Sequence, residues 1–260
     1  YGHPCDMEPI LDIAKNYRLA VIEDAAHALP AHYKGRIIGS LPSDYSQPHF
    51  TCFSFYATKN MTTSEGGMLT GASKHIENAG IWSLHGLSRD AWKRYGKEGS
   101  WAYDVVYPGY KYNMTDIQAS LGLWQLKKLA EFQKRRQEIA LMYNEVFEGR
   151  EELQLPVVKS GVEPSWHLYV LRLNFDCLRI TRDTFIEELK ALNIGTSVHF
   201  IPIHLHSYYK NKYGYKEVDF PVAYENYLRM LSLPLYPRMT DEDVDSVIEA
   251  VINVLRKYKR

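Results

Sequence analysis

Two short segments carry the residues best suited to chemistry. Val21-Ile22-Glu23-Asp24-Ala25-Ala26-His27 ends an apolar run on acids, and Phe53-Ser54-Phe55-Tyr56-Ala57-Thr58-Lys59-Asn60 ends another just before a lysine. The first run, Leu19 to Ile22, and the second, about Phe50 to Phe55, have the length and character of buried strands. In an open parallel α/β sheet, ligands bind outside the carboxyl ends of strands, so Asp24 and Lys59 project toward one crevice. A carboxylate that holds a pyridinium nitrogen and a lysine that forms a Schiff base are the protein groups a pyridoxal phosphate site needs most. Each has a plainer reading, as a turn or helix-capping acid and as a surface lysine. Their company favours chemistry. His27 follows Asp24 by three residues, and Thr62-Thr63-Ser64-Glu65-Gly66-Gly67-Met68 follows Lys59, a hydroxyl- and glycine-rich loop that lets backbone amides and hydroxyls approach a phosphate.

The elements that must position these residues read as two lobes. Asp6 to Asn16 is amphipathic, with Asp6 as its cap, and leads into the Leu19–Ile22 strand, an alternation typical of a parallel α/β sheet. A short strand near Met68 to Thr70 and a helix from about Ser73 to Leu84 follow. Leu87 to Pro108 has no clear period and reads as a long ordered loop. Thr115 with Gln118 three residues later forms a capping-box pattern at the start of a long helix, with Ile117, Leu121, Trp124, Leu129 and Phe132 as its apolar stripe. Lys127, Lys128, Lys134, Arg135 and Arg136 read as a solvated face of that helix. The chain turns polar from Gly149 to Pro164, which sets a boundary between a large domain, 1–148, and a small α/β domain, 149–260. In the latter, Leu168 to Leu173 and Thr196 to Phe200 read as strands, Thr181 to Leu192 as a helix, and Thr240 with Asp243 as the cap of a final helix from Asp241 to Tyr258.

Composition narrows the class. Thirty-one basic and thirty-one acidic residues balance, so nothing points to nucleic acid as the partner. Cys5, Cys52 and Cys177 are scattered and odd in number, against a disulfide framework and for a reducing compartment. No apolar run reaches the length of a membrane span and residues 1–20 lack a signal-peptide pattern, so a cytoplasmic protein with no membrane partner is expected. Most of the twenty tyrosines sit singly in amphipathic stretches and read as packing residues. His199, His204 and His206 do not match a zinc spacing, and no metal is expected.

The segments YGHPCDM, VIEDAAHA, FSFYATKNMTTSEGGM, LHG at 84–86, GYKYNMTDIQASLG, HFIPIH and LSLPLYP occur in this order from residue 1 almost to residue 260. In them the chain resembles the DegT/DnrJ/EryC1/StrS family of pyridoxal phosphate-dependent nucleotide-sugar aminotransferases. The resemblance implies a PLP-dependent transferase (aspartate aminotransferase-like) α/β fold, with a mostly parallel sheet in the large domain. It implies that Lys59 forms the Schiff base and shuttles the proton, and that Asp24 faces the pyridine nitrogen. It places His27 near the cofactor's ring hydroxyl, where a packed histidine is the alternative. Ser54 matches a phosphate-contacting serine, where a strand serine bonded to backbone is the alternative. Lys111 and Asn113 of GYKYN fall in an element that reaches the neighbouring subunit's cofactor phosphate, with Asn113 favoured for the contact. His85 and His199 are implied at the substrate side, and a homodimer with shared active sites as the assembly.

The implied reaction moves an amino group from an amino acid, glutamate by expectation, to a nucleotide-linked keto-deoxysugar for polysaccharide, lipid or antibiotic sugars. The GYKYN form and the segment Trp92 to Pro108 look most like members that use UDP- or GDP-linked 4-keto sugars. A related subgroup that dehydrates sugars has histidine where Lys59 stands here. A regulatory relative would carry an added sensor or DNA-binding segment, and none is visible. Family members also carry a segment before the point matching Tyr1, with part of the sheet, a phosphate-binding turn and a ring-stacking aromatic. The expectation is therefore a chain incomplete at its N-terminus, and the alternative to an enzyme is a non-catalytic fragment that keeps fold and dimer surface without holding the cofactor.

Overall fold

A computed structural model of the protein describes residues 1–40, 45–88 and 103–260. Along the chain run α1 (Met7–Tyr17), β1 (Val21–Asp24), β2 (His32–Tyr33), β3 (Arg36–Ile37), β4 (His49–Ser54), β5 (Gly67–Gly71) and α2 (Ser73–Ser83). The long α3 (Asp116–Phe147) follows, then β6 (Leu153–Gln154), β7 (Val162–Glu163), β8 (Tyr169–Leu173) and α4 (Arg182–Ala191). The chain ends with α5 (Ser207–Tyr213), α6 (Pro221–Arg229), β9 (Met230–Leu233) and α7 (Asp241–Tyr258). It divides into two compact units, His3–Ala130 with Gly161–Pro164, and Tyr1–Gly2 with Glu131–Ser160 and Ser165–Arg260.

In the first unit the principal sheet has the order β1-β4-β5. β1 and β4 are parallel, with Asp24 opposite Cys52, while β4 and β5 are antiparallel, with Ser54 opposite Gly67. The sheet expected to be mostly parallel thus has a parallel pair and, at β5, a reversal. No helix lies between β4 and β5 to make the crossover a parallel neighbour needs, so the chain folds directly back. The β1 strand also sits two residues later than its apolar run suggests: Asp24 is its last residue, and Leu19 is exposed. Met7, Leu11 and Ala14 of α1 pack with Val21 and Tyr33. Asp6 makes no capping bond; its carboxylate instead accepts from the Tyr33 hydroxyl. A second small sheet, β3-β2-β7, is antiparallel throughout.

The second unit is built on an antiparallel sheet, β6-β8-β9. Its core joins Leu171 and Leu231 from the sheet to Tyr143 and Phe147 of α3, Phe185 of α4 and Val251 of α7. On α7 the buried residues Val244, Val247, Ile248, Val251, Val254 and Leu255 recur at helical spacing and form one apolar stripe. Thr240 and Asp243 make both arms of a capping box there, and Thr181 Oγ1 accepts from Thr184 N at the start of α4. Thr196–Phe200 is not a strand. Only Ser197 bridges to Ser232, and Pro202, without an N–H, ends the run.

The α3 start agrees with its capping box, Gln118 N donating to Thr115 Oγ1 at 3.3 Å and Thr115 N to Gln118 Oε1 at 3.0 Å. The expected stripe is buried only in part. Ile117, Leu121 and Trp124 are exposed, whereas Gly122 and Leu129 face the first unit's interior. The basic run is not uniformly solvated either, because Arg136 is buried and donates to the carbonyls of Trp166, His167 and Leu235.

Candidate active site

The parallel register of β1 and β4 puts Asp24 opposite Cys52, and side chains two apart on a strand share a face. Asp24, Cys52 and Ser54 therefore line one face of the sheet, with Ser54 about 7 Å further toward the carboxyl ends. The Asp24 carboxylate accepts from Ala26 N at 3.0 Å, which turns the chain at the strand end. Ser54 Oγ accepts from Tyr56 N at 3.4 Å. Lys59 follows in the turn beyond β4 and is partly buried. Burial lowers its pKa below the ordinary lysine value, and the Asp24 charge opposes that shift. The carboxylate and the amine thus act within one electrostatic neighbourhood, as the strand ends require.

The loop after Lys59 is held by its own polar groups. Thr63 N donates to Phe55 O at 2.9 Å and Phe55 N to Gly66 O at 2.8 Å, which closes the loop at its base. Thr62 Oγ1 donates to Phe55 O and accepts from Ser64 N, while Thr63 Oγ1 donates to Glu65 O. The hydroxyls of Thr62 and Thr63, expected to face a ligand, instead shape the loop. Gly66 has φ +151°, and a Cβ there would come within 2.8 Å of Met114 Cε, so only glycine fits.

His27 lies in the turns after β1, with no helix following it. Lys111 and Asn113 are exposed in the segment before α3, where Lys111 Nζ donates to Asn113 Oδ1 and Asn113 Nδ2 to Met114 O. His85 is exposed in the turn after α2. That turn is pinned against residues 106–110: His85 N donates to Tyr110 O, Tyr110 N to Trp82 O and Val106 N to Gly86 O. His199 belongs to the second unit, with Nδ1 2.8 Å from Ser232 Oγ. Asp24, Ser54 and Lys59 are thus joined by one sheet and its following turn. Most of the 87–108 loop lies outside the described residues.

A family model, the DegT/DnrJ/EryC1/StrS aminotransferase family, matches residues 1–252. The chain belongs to this aminotransferase family. It is 57% identical over 259 residues to an uncharacterized protein of Methanocaldococcus jannaschii, a match over 99% of this chain and 66% of that protein. It is 51% identical over 257 residues to the spore coat polysaccharide biosynthesis protein SpsC of Bacillus subtilis, over 98% of this chain and 64% of SpsC. The chain therefore spans just under two thirds of the length of these relatives. A putative sugar aminotransferase of Streptococcus pneumoniae, solved in its PMP form, superposes with a TM-score of 0.85 at 35% identity, over 98% of this chain and 67% of that one. The α/β fold is that of these PLP-dependent sugar aminotransferases, and the family's cofactor is pyridoxal phosphate.

The residues present fit that cofactor. A partly buried amine with a lowered pKa suits an aldehyde, a carboxylate beside it suits a ring nitrogen, and Ser54 adds a hydroxyl on the same sheet face. Among the described residues, no group of three or more His, Cys, Asp or Glu side chains is placed to hold a metal. His204 is buried against the Phe220 ring. The three cysteines are unpaired, and no described helix is long and apolar enough to cross a membrane.

Three features escape a reading of the sequence. Glu23 and His49, on the sheet face opposite Asp24, form a hydrogen-bonded pair, His49 being buried. The register pairs Glu23 with Thr51 and Val21 with His49, which places Glu23 and His49 diagonally on one face. Several tyrosines are not isolated packing residues: Tyr107 stacks on Trp82, and Tyr110 on Tyr112, at centroid distances of 5.1 and 4.9 Å. The third is the second partner of Gln118, on the loop after Lys59.

Proposed function

We propose that this chain is the cofactor-holding part of an enzyme that transfers an amino group from an amino acid, glutamate, to the keto carbon of a nucleotide-linked deoxysugar. The observation that carries the reading is the Lys59 amine, lowered in pKa by burial and influenced by Asp24, at the carboxyl ends of two parallel strands. The kinship with a spore coat polysaccharide biosynthesis protein supports a role in surface polysaccharide sugars. The resemblance of the GYKYN form and of the segment Trp92 to Pro108 to members that use UDP- or GDP-linked 4-keto sugars supports that substrate class.

In this reading Lys59 would hold the cofactor through its aldehyde carbon, with loss of water. Once the substrate amine displaced it, the freed amine would carry the proton to and from the substrate carbon, a task that needs it partly deprotonated near neutral pH. Asp24 keeps the ring nitrogen protonated, and His27 lies by the ring hydroxyl. Ser54 holds the phosphate, together with Lys111 and Asn113 of a second copy in a homodimer with shared active sites. His85 and His199 contact the sugar-nucleotide side. When bound, the cofactor supplies an electron sink for the substrate's carbanion. Both substrates are small and soluble, which suits a cytoplasmic enzyme.

The test is an absorbance titration with pyridoxal phosphate. A protein-bound visible band that glutamate shifts, and that Lys59→Ala loses, supports the reading. A band retained by Lys59→Ala refutes the role of Lys59. No band in the parent protein favours a polypeptide that keeps the fold without holding the cofactor.

A further inference from the structure

The side chain of Gln118 has two tasks. Its Oε1 accepts from Thr115 N at 3.0 Å and from Thr115 Oγ1 at 2.9 Å, and its Nε2 donates to Glu65 O at 2.9 Å. The donor and acceptor roles are fixed by chemistry, since a backbone N–H needs an acceptor and a carbonyl needs a donor. Glu65 O accepts a second bond from Thr63 Oγ1 at 2.7 Å, so both of its lone pairs are used. One residue later the backbone adopts the Gly66 conformation that brings its carbonyl to Phe55 N. Four residues along α3, Gly122 lets the helix approach the same loop, where a Cβ would lie 3.0 Å from Thr63 Cγ2. The capping box satisfies the helix start, but the bond to Glu65 lies outside it and joins two segments 53 residues apart.

We propose that Gln118 is a positioning residue whose carboxamide registers the Lys59–Gly67 loop against the Lys111–Thr115 segment. The two groups of candidate cofactor contacts, one before α3 and one beyond β4, are thereby held as one body. The functional part of this inference rests on Lys59 being the reacting amine; its structural part does not. Only an amide performs both tasks, because a carboxylate caps the helix equally well but cannot donate to Glu65 O.

That asymmetry supplies the experiment, done without added cofactor. Gln118→Glu keeps the capping bonds and turns the loop bond into a repulsive contact of two oxygens; Gln118→Ala loses both bonds and adds no charge. Amide hydrogen exchange at Phe55 and Thr63, and the pH profile of Lys59 acylation, are measured in the parent and both variants. Expected in both variants is exchange about fivefold faster at Phe55 and Thr63, the effect of one lost hydrogen bond. In Gln118→Ala, which adds no charge, the Lys59 profile should also move to higher pH as the amine becomes better solvated. Gln118→Glu is expected to melt within a degree or two of the parent. Parent-like exchange at Phe55 and Thr63 in Gln118→Glu, or a parent-like Lys59 profile in Gln118→Ala, would reduce the residue to a helix cap and overturn the inference. A cofactor band that survives Lys59→Ala would instead remove the role of Lys59 and leave the exchange result standing.

Discussion

Replacing Arg136 by methionine tests how the second unit tolerates a buried cation. Arg136 is 6% exposed, and its guanidinium donates to the carbonyls of Leu235, Trp166 and His167 at 2.9, 3.2 and 3.3 Å. Burial pushes its pKa down to about 10. Relative to an ordinary arginine, that corresponds to about 3 kcal/mol against the charged form. All three bonds come from Nη1, whose two N–H groups are shared among the three carbonyls, so they contribute about 4 kcal/mol in the other direction. Exchanging a buried ion pair for apolar residues is often neutral or stabilising, because both charged partners leave together. Here the acceptors are backbone carbonyls and remain, stranded. Arg136→Met should therefore lose about 1 kcal/mol, and Arg136→Lys less, because an ammonium keeps a donor for part of the stranded carbonyl group. A chain of this length loses about 2–4 °C in Tm per kcal/mol, so a drop of about 2–4 °C is expected, with a matching fall in the urea midpoint. The sign of the pH effect also follows. The folded-state pKa lies below the unfolded value, so the penalty is present at all pH values below about 10 and fades only above it. The gap between parent and Arg136→Met should thus stay flat from pH 6 to 9. A methionine variant as stable as the parent would refute the reasoning, since desolvation would then outweigh the three bonds.

Further expectations concern the site and its scaffold. Asp24→Asn removes the charge that opposes the burial effect at Lys59, so the pH midpoint for acylation of Lys59 should fall; a rise or no change would separate the two residues. Gly86→Ala forces a side chain into φ +68° and against the Tyr107 backbone, and should cost more than about 2 kcal/mol in a urea melt. Thr240→Ala removes the hydroxyl that accepts from Asp243 N and should cost about 1 kcal/mol, read as a small drop in Tm with the same final fold.

The placement of Asp24 and Lys59 at the strand ends was legible because a buried strand must end where polarity begins, and both follow apolar runs. Helix starts were legible for a similar local reason: Thr115, Thr181 and Thr240 each precede a helix whose first free N–H groups need an acceptor. What stayed hidden depends on partners distant in sequence. Arg136 looks like its exposed neighbours until α3 is laid against Trp166 and Leu235, 30 and 99 residues away. Residues 196–200 alternate like a strand, yet the neighbouring β9 bonds to them at only one position. The hydroxyls of Thr62 and Thr63 suggest a ligand loop, but their acceptors prove to be carbonyls of the chain itself. Periodicity reports what a segment buries, not which remote atom satisfies it.

Among the described residues, the order β1-β4-β5 leaves β1 and β5 as sheet edges, each with one side of its backbone unpaired within that sheet. Ile22 on the first and Met68 on the second are more than half exposed beside those open edges. A strand in this state is a template: its N–H and C=O rows accept another extended segment at little entropic cost once its apolar side chains are covered. For the polypeptide of these 260 residues, solubility is therefore tied to whatever pairs with those two strands. Its behaviour in solution should depend on concentration, and a charge placed at Ile22 or Met68 is the substitution that would weaken the dependence without touching Asp24 or Lys59.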